Sequence, residues 1–213
     1  MTSSWSMRSL SGRRINHSIY NIMLNIIIFG APGSGKGTQS AHIKEHYNLN
    51  HISTGDLLRA EIKKSTPLGK KVEGLISEGH LVPDETIVSI MEGHIKDPGE
   101  YAGIIFDGFP RTVAQAEALD TMLRTHGESV TLLLELQVSE EELISRILER
   151  GKVSGRADDN EESARERLKV YHSETEPVRN FYSKQGKYVA VEGEGSIDEI
   201  TERIIKAIDS YVA

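Results

Sequence analysis

From residue 24 onward, short apolar runs alternate with stretches in which apolar residues recur every three to four positions. Short apolar runs bounded by turn residues read as buried strands, and the longer 3.6-period stretches as amphipathic helices. Strands are therefore expected at 24–29, 50–53, 103–107, 130–136 and 187–191. Helices fill the gaps at 35–47, 55–63, 68–78, 84–95, 113–126, 140–150, 159–182 and 197–211. Strand alternating with helix is the mark of βαβ units, so the pattern predicts an α/β fold: a parallel sheet of five strands, doubly wound and flanked by helices. Two pieces have the look of insertions, 53–82 and the short stretch between Gly151 and Gly155, and each is expected to form a mobile lobe or lid.

Residues 1–22 break the pattern. They are Ser-rich and carry Arg8, Arg13 and Arg14 but no acidic residue. An organellar transit peptide has that composition; a leader ahead of a start at Met23 is the other reading, and the one favoured here. In both cases 1–22 is expected to lie outside the fold and 23–213 to form one domain, long enough for a sizeable core.

Composition narrows the function classes. The net charge of −7 argues against a protein that works on a nucleic-acid backbone or an anionic membrane surface. The chain has no Cys, which removes disulfides and thiolate metal sites. No stretch approaches the ~20 apolar residues of a spanning helix. A cytoplasmic protein fits these figures.

The first strand runs straight into Gly30-Ala-Pro-Gly-Ser-Gly-Lys-Gly-Thr-Gln39, followed by a helix. Glycines at 30, 33, 35 and 37 let successive backbone N–H groups turn inward onto phosphate oxygens, and Lys36 adds a full charge. This is a P-loop placed between strand and helix, where its mechanism needs it. An ordinary Gly-rich turn would not require that context. The position after the Lys, commonly a Ser or Thr that meets Mg²⁺, is Gly37, and the hydroxyl follows at Thr38.

Ligands of open α/β sheets collect at the carboxyl ends of the strands. The third strand ends in Asp107-Gly-Phe-Pro-Arg111, where Asp107 can hold Mg²⁺ directly or through water and Arg111 can fork onto a phosphate. Arg146 and Arg150 share a helix face, with Glu142 and Glu149 as possible partners of a merely solvated face. Arg156 follows on a loop that Gly151 and Gly155 can hinge, and Arg167 lies in the next helix. Asp159 with Glu162 fits a capping box, which gives Asp159 a structural role, while Asp158 can pair with the arginines. So many arginines in an acidic chain suggest a clamp for two phosphate chains.

Five stretches in order, GAPGSGKGTQ, HISTGDLLR, HLVPDE, IFDGFPRTVAQ and SGRADDNEE, closely resemble the adenylate kinases, from Leu24 to the end of the chain. The resemblance implies a P-loop NTPase-type core, an AMP-binding lobe at 53–82 and a short ATP lid at 149–159. It implies reversible Mg-dependent phosphoryl transfer from ATP to AMP, giving two ADP. By motif it places ATP on Gly33, Ser34, Gly35, Lys36, Gly37, Thr38 and Arg150, with Gly195 near the adenine through its backbone. AMP falls to Thr54, Arg59, His80, Leu81, Val82, Gly108, Phe109, Pro110, Arg111 and Gln115, and Arg156 and Arg167 close on the moving phosphoryl. The family's longer lids sometimes bind zinc; a short lid without Cys implies none. The expected partners are ATP, AMP and ADP, with no nucleic acid and no membrane, and the expected state is a monomer.

A phosphate oxygen is already ionised, so such a reaction needs no catalytic base. His17, His42, His51, His80, His94 and His126 read as ordinary polar residues. Catalysis then rests on position and charge, supplied by Lys36, Arg111, Arg150, Arg156 and Arg167. A UMP- or CMP-using kinase is the nearest rival; Thr54 and Gln115 match the adenine-reading pattern. A slow P-loop switch is the rival of a different class, and the guanine-reading N-K-x-D element is absent.

Overall fold

In the computed structural model, which describes residues 23–95, 100–154, 156 and 158–213, five strands make one all-parallel sheet. They are β1 (Ile26–Phe29), β2 (Asn50–Ser53), β3 (Ile104–Asp107), β4 (Leu132–Gln137) and β5 (Tyr188–Glu192), in the spatial order β2-β3-β1-β4-β5. β1 lies in the middle, with Ile26 level with both Ile105 and Leu132. All four of its residues are buried, as a strand covered on both faces requires.

The strand pleat divides the core. Ile27, Phe29, Phe106 and Leu133 face one way, toward α2 (Thr54–Lys63), α3 (Pro67–Glu78), α4 (Asp84–His94), α5 (Val113–Thr125), α7 (Glu161–Val170) and α8 (Pro177–Ser183). Ile26, Ile28, Ile105, Leu132 and Leu134 face the other way, toward α1 (Lys36–Tyr47) and α9 (Ile197–Val212). The chain reverses its strand order at β1, so the carboxyl ends of β1 and β3 open onto a crevice.

Three expectations need correction. The helix expected at 140–150 is α6 (Glu140–Ser154), so Gly151 is helical and does not hinge a loop. A Cβ there would run into the Asp159 carbonyl oxygen, so the glycine is a packing site. Gly155, the second expected hinge, falls outside the described residues, as does 1–22. The helix expected at 159–182 is broken into α7, a π turn (Tyr171–Thr175) and α8. Pro177 has no N–H to give, and the turn before it widens, with Glu176 N–H donating to the Tyr171 carbonyl at 2.8 Å. Finally, α7 is capped by Asn160, whose side chain accepts from Ser163 N–H, and not by Asp159.

A buried carboxylate in β4 fixes the π turn to the sheet. Glu135, which sits level with Phe29, accepts from Tyr171 and Tyr188 hydroxyls at 3.0 and 2.6 Å and from Arg179 at 2.8 Å. Burial and the adjacent carboxylate push the Tyr188 hydroxyl up to about 12, so it stays a donor.

Candidate active site

The crevice is a cavity of about 1030 Å³ whose floor is the P-loop. Gly33 and Gly35 have φ of 88° and 91°, a conformation open to glycine, and Gly35 leads directly into α1. No acidic residue occupies the first turn of α1, so its positive end is left for a ligand. Lys36 folds back over the loop and donates to the Gly30 and Ala31 carbonyls at 2.7 and 2.9 Å and to Ser34 Oγ at 3.4 Å. Its pKa is lowered to about 8, chiefly by desolvation, with Asp107 opposing and Arg111, Arg167 and Arg150 adding to the shift.

Asp107 and Arg111 flank the floor, as their motif predicts. Arg111 Nε donates to the Gly108 carbonyl at 2.8 Å, and desolvation with Arg167 nearby lowers its pKa to about 10. Asp107 faces the start of α1, and a Cβ on Gly37 would lie 3.8 Å from its Oδ2. His51 also stands beside it, with Nε2 3.5 Å from Oδ2, although the sequence reading gave His51 no role near the site. Among the described residues no three metal-ligating side chains cluster. A magnesium ion at Asp107 would therefore need phosphate and water for its other ligands, and that is how the ion travels with ATP.

The far wall carries the expected arginines and two carboxylates. Arg150 grips Asp159 through both arms, Nε to Oδ2 at 2.7 Å and Nη2 to Oδ1 at 2.6 Å. Arg167 donates to Asp158 Oδ2 at 2.9 Å and to Asp159 Oδ1 at 3.2 Å. Burial pushes the Asp159 carboxyl up, but Arg150, Arg167 and Arg156 outweigh it and hold the group below the usual range. Arg156 reaches across to the lobe, with Nη2 4.0 Å from Asp56 Oδ1. Its own pKa falls through desolvation and the nearby Arg59 and Arg150. Ser163 Oγ, donating to the Ser77 carbonyl at 2.8 Å, also links α7 to α3.

A second, smaller cavity of about 70 Å³ adjoins the first through Arg59, Gly108, Arg111 and Arg167. Its walls include Thr54, His80, Leu81, Val82 and Gln115, from three of the five motifs. Thr54 Oγ1 donates to the Gly108 carbonyl at 2.8 Å, while Ser53 caps α2. Phe109 and Pro110 line the larger cavity instead.

Some predicted residues sit differently from expectation. Ser34 is 1 % exposed and lies outside the cavity lining, with its N–H donating to the Ala31 carbonyl at 3.1 Å. Gly195 lies outside the lining, while Ile197, two residues on, faces the cavity and is 51 % exposed. Gln39 holds that corner: its amide donates to the Ile197 carbonyl at 3.1 Å and accepts from Thr201 at 2.8 Å. Arg146, left undecided by the sequence, lines the large cavity, paired to Glu142 at 2.7 Å and to the Gly193 carbonyl at 3.0 Å. Val153, on the last turn of α6, lines it too.

With this geometry in place, comparison with known proteins gives a consistent answer. A family model described as adenylate kinase matches residues 28–187. The adenylate kinase of Phocaeicola vulgatus is 55 % identical over 187 residues, covering 88 % of this chain and 99 % of the relative. That of Bacteroides fragilis is 54 % identical over 188 residues, covering 88 % of this chain and all of the relative. That of Porphyromonas gingivalis is 56 % identical over 189 residues, covering 89 % of this chain and 97 % of the relative. The chain belongs to the adenylate kinase family, a family of phosphotransferases.

Proposed function

We propose that the chain catalyses reversible phosphoryl transfer from magnesium-bound ATP to AMP, giving two ADP, and so balances the adenine nucleotide pool. The observation that carries this is the meeting of two cavities at one arginine wall: a large one over the P-loop and a small one between Thr54 and Gln115, with Arg111 and Arg167 lining both. ATP would lie on Gly33 to Thr38, with Lys36, Arg146 and Arg150 on its phosphates and base and Ile197 at its edge. AMP would lie between Thr54, Leu81, Val82 and Gln115, its phosphate on Arg59 and Arg111.

The chain's own groups do the work through charge and position. Lys36 is held by carbonyl oxygens, so an incoming phosphate can replace neutral partners without breaking an ion pair. Arg111, Arg156 and Arg167 surround the point between the two nucleotides and stabilise the charge that spreads over the moving phosphoryl. Asp107 would hold the magnesium ion through water, and that ion, when bound, neutralises charge on the ATP phosphates. The acceptor oxygen is ionised, so no base is required. Arg156 Nη2 lies 4.0 Å from Asp56 Oδ1, and a closer approach of lid to lobe with both nucleotides bound would exclude water as a competing nucleophile.

A monomer acting in the cytoplasm fits best. Two of the exposed large apolar side chains, Val153 and Ile197, face the nucleotide cavity, and the net charge of −7 disfavours anionic surfaces. A panel of nucleoside monophosphates, each supplied with ATP and followed by ADP formation, tests the assignment. AMP should be turned over far better than UMP or CMP, and ATP alone should be hydrolysed slowly. Vigorous hydrolysis without AMP would instead indicate a nucleotide switch.

A further inference from the structure

Gln115 is 1 % exposed, and both ends of its amide are already engaged. Its Oε1 accepts from Arg111 N–H at 2.8 Å, and its Nε2 donates to Asp84 Oδ1 at 2.7 Å. A backbone N–H can only donate, and a carboxylate can only accept. One orientation of the amide therefore satisfies both neighbours; turning it over would set N–H against N–H and oxygen against oxygen. Asp84 is itself held, its other oxygen accepting from Thr112 Oγ1 at 2.9 Å. Thr112 in turn caps α5 by accepting from Gln115 N–H at 3.2 Å.

An amide carries two N–H bonds and two lone pairs. With one of each used, Gln115 keeps one N–H and one lone pair for a ligand in the small cavity that it lines. Adenine offers the matching edge, an acceptor at N1 and a donor at its 6-amino group. Hypoxanthine has the same shape with both roles reversed, a 6-oxo acceptor and an N1–H donor. Uracil is reversed in the same way, whereas cytosine keeps the adenine order.

We infer that Asp84 is a positioning residue, which fixes the Gln115 amide and so makes the acceptor pocket choose amino over oxo bases. This deepens the AMP-acceptor reading above and rests on it. The sequence motif that contains Asp84 suggests only a helix start, because Asp84 opens α4 with Glu85 beside it.

The test measures kcat/KM for AMP, IMP, UMP and CMP with ATP fixed, in the wild type and in Asp84→Ala and Asp84→Asn, with thermal melts of each. In Asp84→Ala the preference for AMP over IMP and over UMP should narrow about tenfold, since one of the two locks is lost while Arg111 N–H keeps the other. The AMP to CMP ratio should hold within about twofold. Asp84→Asn keeps the shape and an acceptor oxygen but can also turn a donor inward, so it should shift the same ratios by about threefold. Unchanged ratios in either folded variant would overturn the role of Asp84 while leaving the AMP reading intact. Equal narrowing against CMP and IMP would overturn it too, because general loosening of the pocket ignores the order of donor and acceptor. Wild-type turnover of IMP or UMP as fast as AMP would overturn the acceptor reading itself.

Discussion

The two walls of the nucleotide cavity keep their cations in different ways. On the P-loop side Lys36 and Arg111 rest on backbone carbonyls, and among the described residues neither forms an ion pair with a carboxylate. On the lid side Arg150 and Arg167 are clamped by Asp158 and Asp159. Desolvation depresses Lys36 and Arg111, to about 8 and 10, and on the opposite wall it also lowers Arg167 in spite of Asp158 and Asp159, while the hydrogen bonds to Asp159 raise Arg150. A partly desolvated cation without an anion is a cost to the folded chain that substrate phosphate relieves. A cation with its own carboxylate is held in place whether or not substrate is present. The P-loop side thus leaves its cations open to a ligand, and the opposite wall holds Arg150 and Arg167 already paired.

Removing the P-loop cation should have the largest effect. Lys36→Met is expected to lower kcat by about a thousandfold, the upper end for a single lost donor, and to leave the chain folded. Its stability relative to wild type should depend on pH in one direction. The folded pKa, about 8, lies below the usual 10.5, so below pH 8 the wild type bears the full cost of the desolvated charge. Between 8 and 10.5 the folded state sheds its proton before the unfolded state does, and wild-type stability gains relative to the variant as pH rises. Melting curves of both proteins from pH 7 to 10 measure that slope. A difference that does not change with pH, or normal turnover in the variant, would show that Lys36 is not the desolvated phosphate ligand.

On the lid side the largest effect should fall on stability. Asp159→Asn keeps the shape but leaves Arg150 with a neutral partner while Arg167 keeps Asp158, a loss of about 2 kcal/mol at neutral pH, below that of a fully broken buried pair. For a domain of this size that lowers Tm by about 4–8 °C, and kcat should fall about tenfold as Arg150 loses its position. The Asp159 pKa is held below 3.8, so its contribution is present above that value and lost as pH falls through the folded one. The gap in Tm between wild type and variant should therefore close in acid. A gap that persists there would mean that Asp159 acts by packing alone.

The same contrast explains what the sequence could disclose. Gly30 to Thr38 and Asp107 to Arg111 each set their chemistry within a few neighbouring residues, and the structure brings both to one floor. The lid side depends on partners found only after folding. Asp159 and Asn160 are equally good helix caps on paper; Arg150 and Arg167, eight or nine residues away, draw Asp159 off and leave the cap to Asn160. Glu135 sits in an apolar run, and its three partners come from 36 to 53 residues further on. Arg146 could not be separated from a solvated arginine until Gly193 was seen beside it. The break at Pro177 was readable from the proline alone, yet the strong helical period on both sides masked it.

A smaller effect is expected from the base pocket. Gln115→Ala should raise KM for AMP about tenfold, roughly two lost hydrogen bonds, with little change in KM for ATP. Some stability should go as well, because the Arg111 N–H and the Asp84 carboxylate lose the group between them. Equal changes in both Michaelis constants would place Gln115 in the scaffold and not at the base.

The smallest effect should come from deleting residues 1–22. From Met23 onward the described chain completes the edge of its first strand with its own groups. Leu24 N–H donates to the Ala102 carbonyl at 2.9 Å, and Asn25 N–H to Thr131 Oγ1 at 3.0 Å. The Asn25 side chain adds a bond to the Ser129 carbonyl at 3.1 Å. Leu24 itself is 6 % exposed, packed in the cluster beneath α1 and α9. A chain beginning at Met23 therefore has the contacts that anchor β1 between β3 and β4, and with them the P-loop that β1 carries. Such a chain is expected to melt within about 2 °C of the full-length protein, the shift from a surface change of about 0.5 kcal/mol, with kcat and both Michaelis constants unchanged. A drop of ten degrees, or a rise in KM for ATP alone, would mean that residues 1–22 support the P-loop wall and belong to the catalytic domain.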